Sequence, residues 1–235
     1  MNAITELTVN QIRIFPVDTV PLGLITTKTC ADKVRELLAV SEVEVRPLLD
    51  GNHVITFRRG ELKHSTKVVV IRRVEVDQRR ITVEVEGTSE DSNAVYTSFL
   101  SALGSALDTD LAPLRSPLLV AETTQCVATL DYAFEELFNS AFIEFLNHRV
   151  AKEASSKLAK ASVRPALVAA EVSYQIDRTL VESKTTMSPK EFTIAPRPGV
   201  PSEARKYLVS SPFDSNTHIR LLRELSKAIA ASRSK

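Results

Sequence analysis

The sequence has no tryptophan, two methionines, two cysteines and only six glycines in 235 residues. Each shortage closes off a chemistry. Phosphate-binding and dinucleotide loops need clustered glycines so that backbone amides can approach phosphate oxygens, and the six here are scattered. Cys30 and Cys126 belong to no Cys-x-x-Cys or Cys/His cluster, which predicts reduced, buried thiols rather than a disulfide frame or a zinc site. No apolar run approaches the roughly 20 residues of a membrane helix. Glu6, Asn10, Gln11 and Arg13 interrupt the amino-terminal stretch where the apolar region of a signal peptide would lie. The expectation is a cytoplasmic protein with no membrane partner.

Clustered acid–base residues are scarce too. His53, His64, His148 and His218 each lack a companion at a telling distance. Glu144 and His148 stand one helical turn apart, which reads as an exposed pair rather than half a metal site. Asp50, Glu61 and Lys63 have the spacing of a metal-dependent nuclease core, but Asp50 falls in an Asp-Gly turn and Glu61 follows a second turn at Gly60. No catalytic residue, metal or cofactor is therefore expected, with a nuclease or hydrolase on those three residues as an alternative.

What is present supports a folded protein: 43% hydrophobic and 25% charged residues, with a net charge of only +1, allow a sizeable core. Period-two alternation predicts a strand at 9–15 and four more near 43–48, 53–58, 66–76 and 80–86, a β-meander with breaks at Asp50-Gly51, Arg59-Gly60 and Asp77-Gln78. In its last hairpin Val74, Val76, Ile81, Val83 and Val85 share one face. Arg73, Glu75, Thr82, Glu84 and Glu86 share the other, so the pairs Arg72-Arg73 and Arg79-Arg80 are cancelled across strands.

Helices are predicted near 29–40, with Thr29 and Asp32 as a capping box, and at 92–108 after Asp91-Ser92. Further strands fall at 118–130, 163–176, 192–195 and 207–209, and a last helix at 215–231. Five of the thirteen aromatics, Tyr132, Phe134, Phe138, Phe142 and Phe145, lie within fourteen residues at helical spacing, which predicts a core helix from Asp131 to about Lys160.

The fold class is α+β: antiparallel sheet with helices packed on one face. Its expected division is an amino-terminal unit at 1–112 and a carboxyl-terminal unit at 113–235. Asp91-Ser92-Asn93 and Asp214-Ser215-Asn216 each open a helix, an echo that would make the halves related ferredoxin-like units.

Charge is uneven. Residues 197–235 carry eight basic against three acidic side chains, a balance of +5 that leaves −4 for the remainder. Arg220, Arg223 and Lys227 form a basic stripe on the last helix, and with Arg205 and Lys206 they are the candidate binding residues for nucleic acid or an acidic partner. The functional expectation is a non-enzymatic interaction or assembly module that meets a protein partner or its own copy. A nucleic-acid-binding protein is the alternative.

Overall fold

A computed structural model describes residues 3–48, 53–64, 66–107, 111–138, 140–146, 148, 169–174 and 190–233. The fold is α+β, with nine strands among the described residues and antiparallel pairing along the meander and among the last three strands. Its two compact units are discontinuous in sequence. The first comprises Glu6–Gln125 and Pro212–His218; the second comprises Met1–Thr5, Cys126–Ser211 and Ile219–Lys235. Three elements, β1 (Ala3–Ile14), β6 (Leu119–Thr129) and α5 (Ser215–Ser232), contribute residues to both.

In the first unit the strands run in the order β2-β3-β4-β5-β1-β6, with β2 at Glu42–Pro47, β3 at His53–His64, β4 at Lys67–Val76 and β5 at Arg80–Glu86. Alternation sorts the side chains as expected: Val74, Val76, Ile81, Val83 and Val85 are fully buried. Helix α2 (Lys28–Leu37), which follows the single turn α1 (Leu22–Ile25), and helix α3 (Ser89–Ala106) bring Cys30, Val34, Val95, Phe99 and Leu103 into the same core. Each such side chain contributes about 1.5–3 kcal/mol relative to exposure. Phe57 and Phe99 meet edge to face, with ring centroids 5.9 Å apart.

On the other face the charges cancel in place. Arg73 binds Glu84 at 2.9 Å, Arg72 binds Glu86 at 3.2 Å, and Arg80 binds Asp77 at 2.9 Å. Thr82, expected on this wet face, is buried instead.

Two local expectations are corrected. Arg59-Gly60 is not a turn: β3 runs through it, with Arg59 at φ +56°. Gly60 is required there because a Cβ would lie 2.6 Å from the Leu38 carbonyl at the end of α2, so the helix end and the strand can touch only without a side chain. The helix caps are also displaced. Thr27, not Thr29, precedes α2, and Thr88, not Asp91-Ser92, precedes α3. Asp91 completes the α3 capping box from inside, its Oδ2 accepting from the Thr88 amide at 2.9 Å and from Lys67 at 2.7 Å. Burial alone would raise its pKa, yet those bonds outweigh the burial and hold the carboxyl below its ordinary value.

The second unit carries strands in the order β6-β9-β8-β7, with β7 at Ala170–Tyr174, β8 at Lys190–Pro196 and β9 at Lys206–Ser211. Its aromatic stretch is the main departure from expectation. Rather than one long core helix it forms a 3-10 turn at Phe134–Leu137, an extended residue at Phe138 (φ −114°, ψ 154°) and the short helix α4 at Ser140–Phe145. The extended backbone at Phe138 breaks the helical repeat. The ring pairs explain the trade: Tyr132 and Phe134 are buried against Tyr207 of β9, at 6.2 and 5.9 Å. That long-range packing outweighs local helical spacing.

The Asp50-Gly51 turn, residues 149–160 of the aromatic stretch and the flanks of the expected 163–176 strand lie outside the described residues. Strand order alone does not establish two ferredoxin-like units, and the echo itself shifts by three residues. The first residues of α3 and α5 are Ser89 and Ser215, following Thr88 and Asp214.

Candidate functional site

The five basic residues singled out from the sequence are all exposed, and the second unit sorts them into two places. Arg223 and Lys227, one turn apart on α5, line a pocket of about 690 Å³ with Asp131, Ser226 and Ile219. Arg205 and Lys206 line another of about 510 Å³, whose floor is Phe134 and Tyr207 and whose rim carries Glu135 and Glu203. Arg220 belongs to neither; it is tied to Glu224 at 2.8 Å. Such an exposed i,i+4 pair contributes only about 0.3–0.5 kcal/mol.

Arg205, in the left-handed conformation at φ +48°, donates from Nη1 to the Asp131 carbonyl at 2.9 Å. Arg233 donates to the same carbonyl at 3.1 Å and grips both oxygens of Glu136 at 2.6 and 2.7 Å. The hydrogen bonds from Arg233 lower the Glu136 carboxyl to about 2. These two arginines therefore clamp the turn that starts the aromatic stretch. Arg223, Lys227 and Lys206 form no ion pair among the described residues.

Beyond the clamp a series of ring contacts leads outward. Phe134 meets Phe138 at 5.6 Å, and Phe138 meets Phe142 at 6.0 Å. Phe134 is 5% exposed, whereas Phe142 and Phe145 on α4 are 44% and 53% exposed. Helical spacing suggested burial for all of them; only the long-range partner, Tyr207, distinguishes the buried rings from the exposed ones.

The first unit holds a second locus that sequence reasoning missed. Gln11 and Arg13 lie on β1 in phase with Val9 and Phe15, so they point inward and are only 3% and 4% exposed. Arg13 donates from Nη2 to Gln11 Oε1 at 2.7 Å and to Asn93 Oδ1 at 2.6 Å, and its Cζ sits 3.9 Å from the ring centroid of Tyr96. Gln11 Nε2 donates to Glu122 at 2.7 Å, and Ser89 Oγ donates to the other oxygen of the same carboxylate. The amides of Ser89 and Ser215 then exchange bonds with each other's hydroxyls, at 3.1 and 2.8 Å. Burial depresses the Arg13 pKa and pushes the Tyr96 hydroxyl up to about 12. The alternation itself hides them, because Ile12 and Ile14 make the opposite phase look like the buried one, yet both are only partly buried.

The remaining candidates are placed as follows among the described residues. Glu61 and Lys63 are exposed on β3, while Asp50 lies outside the described residues. No group of three or more metal-ligating side chains occurs among the described residues. Both cysteines are buried thiols outside any disulfide, raised by burial to about 11 for Cys30 and about 12 for Cys126. Thiolate nucleophiles are disfavoured at such values. Asp214 caps α5 by accepting from the Thr217 amide at 3.0 Å, the role expected of it. Among the described residues no helix is long and apolar enough to cross a membrane. No protein-family model matches the chain, and no curated protein is significantly similar to it in sequence.

Proposed function

We propose that the chain is a non-enzymatic interaction module of a cytoplasmic complex that self-associates, with Phe142 and Phe145 as its anchors. One observation carries this reading. Two large rings stand about half exposed at the outer end of a series whose inner members are buried. Rings held this way lose little freedom on docking, and aromatic anchors supply much of the energy of protein interfaces. A second copy fits the charge pattern, because the same unit offers basic groups without ion pairs, Arg223 and Lys227, and the acidic rim residues Glu135 and Glu203.

Sedimentation velocity over a wide dilution series tests it. The wild type shifts to a larger species as concentration rises, and Phe142→Ala/Phe145→Ala weakens that shift. The expected loss is about 2 kcal/mol per ring, roughly 30-fold in dissociation constant. A monomer at every concentration and ionic strength removes the proposal.

A second reading, nucleic-acid binding by Arg223 and Lys227 with Arg205 and Lys206, draws on the lack of ion pairs at Arg223, Lys227 and Lys206. Gel-shift titrations at low salt decide it. Arg223→Glu/Lys227→Glu then reduces affinity for all sequences alike and lowers the salt slope by about one for each phosphate that is no longer neutralised. Absence of any shift at low salt rejects it.

A further inference from the structure

We propose that the cleft of about 930 Å³ beside α3 in the first unit is a binding site for a small organic carboxylate with an apolar body. Its walls include Arg13, Arg115, Asn93, Leu100, Leu111 and Val120. Arg13 is a cation 4% exposed whose direct acceptors are the neutral amide oxygens of Gln11 and Asn93. Its Nη1 is buried and has no acceptor among the described residues.

Glu122, the carboxylate connected to this network, is reached only through Gln11, and Ser89 occupies its other oxygen. A buried cation without a direct anion costs several kcal/mol, and a buried donor without an acceptor adds to that cost. Such a donor calls for an acceptor, and a ligand carboxylate in the cleft supplies one. The stacking on Tyr96 partly offsets the cost but supplies no acceptor for Nη1.

The rest of the cleft selects the ligand class. Arg115, on the 3-10 turn Ala112–Arg115, brings a second guanidinium that forms no ion pair among the described residues. Two guanidinium groups favour a planar carboxylate, which matches their donor geometry. The hydroxyls of Thr97 and Ser101, also on the wall, already donate to the carbonyls of Asn93 and Thr97 within α3. Wrapping a phosphate dianion would require those bonds to be given up. Leu100, Leu111 and Val120 give the remainder of the ligand an apolar surface, and the volume suits a molecule of metabolite size.

Calorimetric titration of the full chain tests the assignment with three probes: octanoate, octanamide as its uncharged match, and inorganic phosphate as an anion without the apolar body. Saturable binding of octanoate alone is the expected result. Ser101→Trp, at an exposed wall position, blocks that binding while leaving the circular dichroism spectrum and melting temperature unchanged. Arg115→Gln weakens it about tenfold, the scale of one charge-assisted contact. The proposal is overturned if octanamide binds as well as octanoate, if phosphate binds as tightly as octanoate, or if none of the three binds the wild-type chain. Octanoate binding untouched by both variants overturns it as well, by placing the site elsewhere.

Discussion

The two units are stabilised by different kinds of order. In the first, strand register does most of the sorting: aliphatic residues alternate into one core, and Arg72, Arg73 and Arg80 find Glu86, Glu84 and Asp77 across or along neighbouring strands. In the second, a few rings from distant segments decide the structure, with Tyr132 and Phe134 gathered on Tyr207 and the turn that starts their stretch clamped at Asp131 by Arg205 and Arg233. Order that comes from register is local and periodic. Order that comes from long-range ring packing is not, and it can override a local pattern that points elsewhere.

Removing rings from each unit has the largest expected effect. Phe57→Ala or Phe99→Ala, both fully buried, should each cost about 3–5 kcal/mol in denaturant unfolding. Phe142→Ala/Phe145→Ala, at half-exposed positions, should cost about 1 kcal/mol or less together. A double variant as damaging as either core variant would mean that α4 is packed after all.

Acid separates the units next. His218 is fully buried in the part of α5 that belongs to the first unit, and burial lowers its pKa to about 4 from 6.5. Between those values the unfolded chain binds the proton and the folded chain does not. Its contribution is therefore complete above pH 6.5 and is lost as pH falls towards 4, a change of about 3 kcal/mol. His218→Gln should flatten the stability profile in that window. In the second unit Glu136 acts lower: its carboxyl is held near 2 instead of 4.5, so its stabilisation is present above pH 4.5 and is lost as pH falls towards 2.

A backbone test comes third. Gly60→Ala should destabilise the first unit by about 1–3 kcal/mol, because the new Cβ meets the Leu38 carbonyl, measured as a shift in denaturant midpoint. An unchanged midpoint would show that α2 can slide away at no cost. The smallest effect is spectroscopic. In Arg233→Gln the Glu136 carboxyl should titrate back towards 4.5 when followed by carbon NMR, and little stability should change with it, since the pair is largely exposed.

The same contrast governs how much of the fold is legible in the sequence. The meander was legible because a strand with one wet face writes its burial into every second residue, and Val74, Val76, Ile81, Val83 and Val85 obey that rule while Thr82 breaks it. The α3 capping chemistry was legible and its position was not: Asp91 belongs to the box, but as the inner member three residues past Thr88. The aromatic stretch was misread because positions 134, 138, 142 and 145 satisfy a helical period, while Tyr207, about seventy residues later, selects which rings are buried. The basic residues near the carboxyl end were found as individuals, and their partition between two pockets depends on tertiary placement. Arg13 and Gln11 were not legible as buried residues, because Ile12 and Ile14 give the opposite phase of β1 the more apolar look and only the tertiary packing turns Arg13 inward.

The exchanged bonds between Ser89 and Ser215 bear on how the protein is made. The start of α3 relies on a hydroxyl 126 residues further along the chain. During synthesis the meander and α3 therefore emerge with these bonds unmade. The first unit reaches its final form only when the start of α5 has left the ribosome, which makes a carboxyl-terminal truncation before Ser215 a lesion of the amino-terminal half.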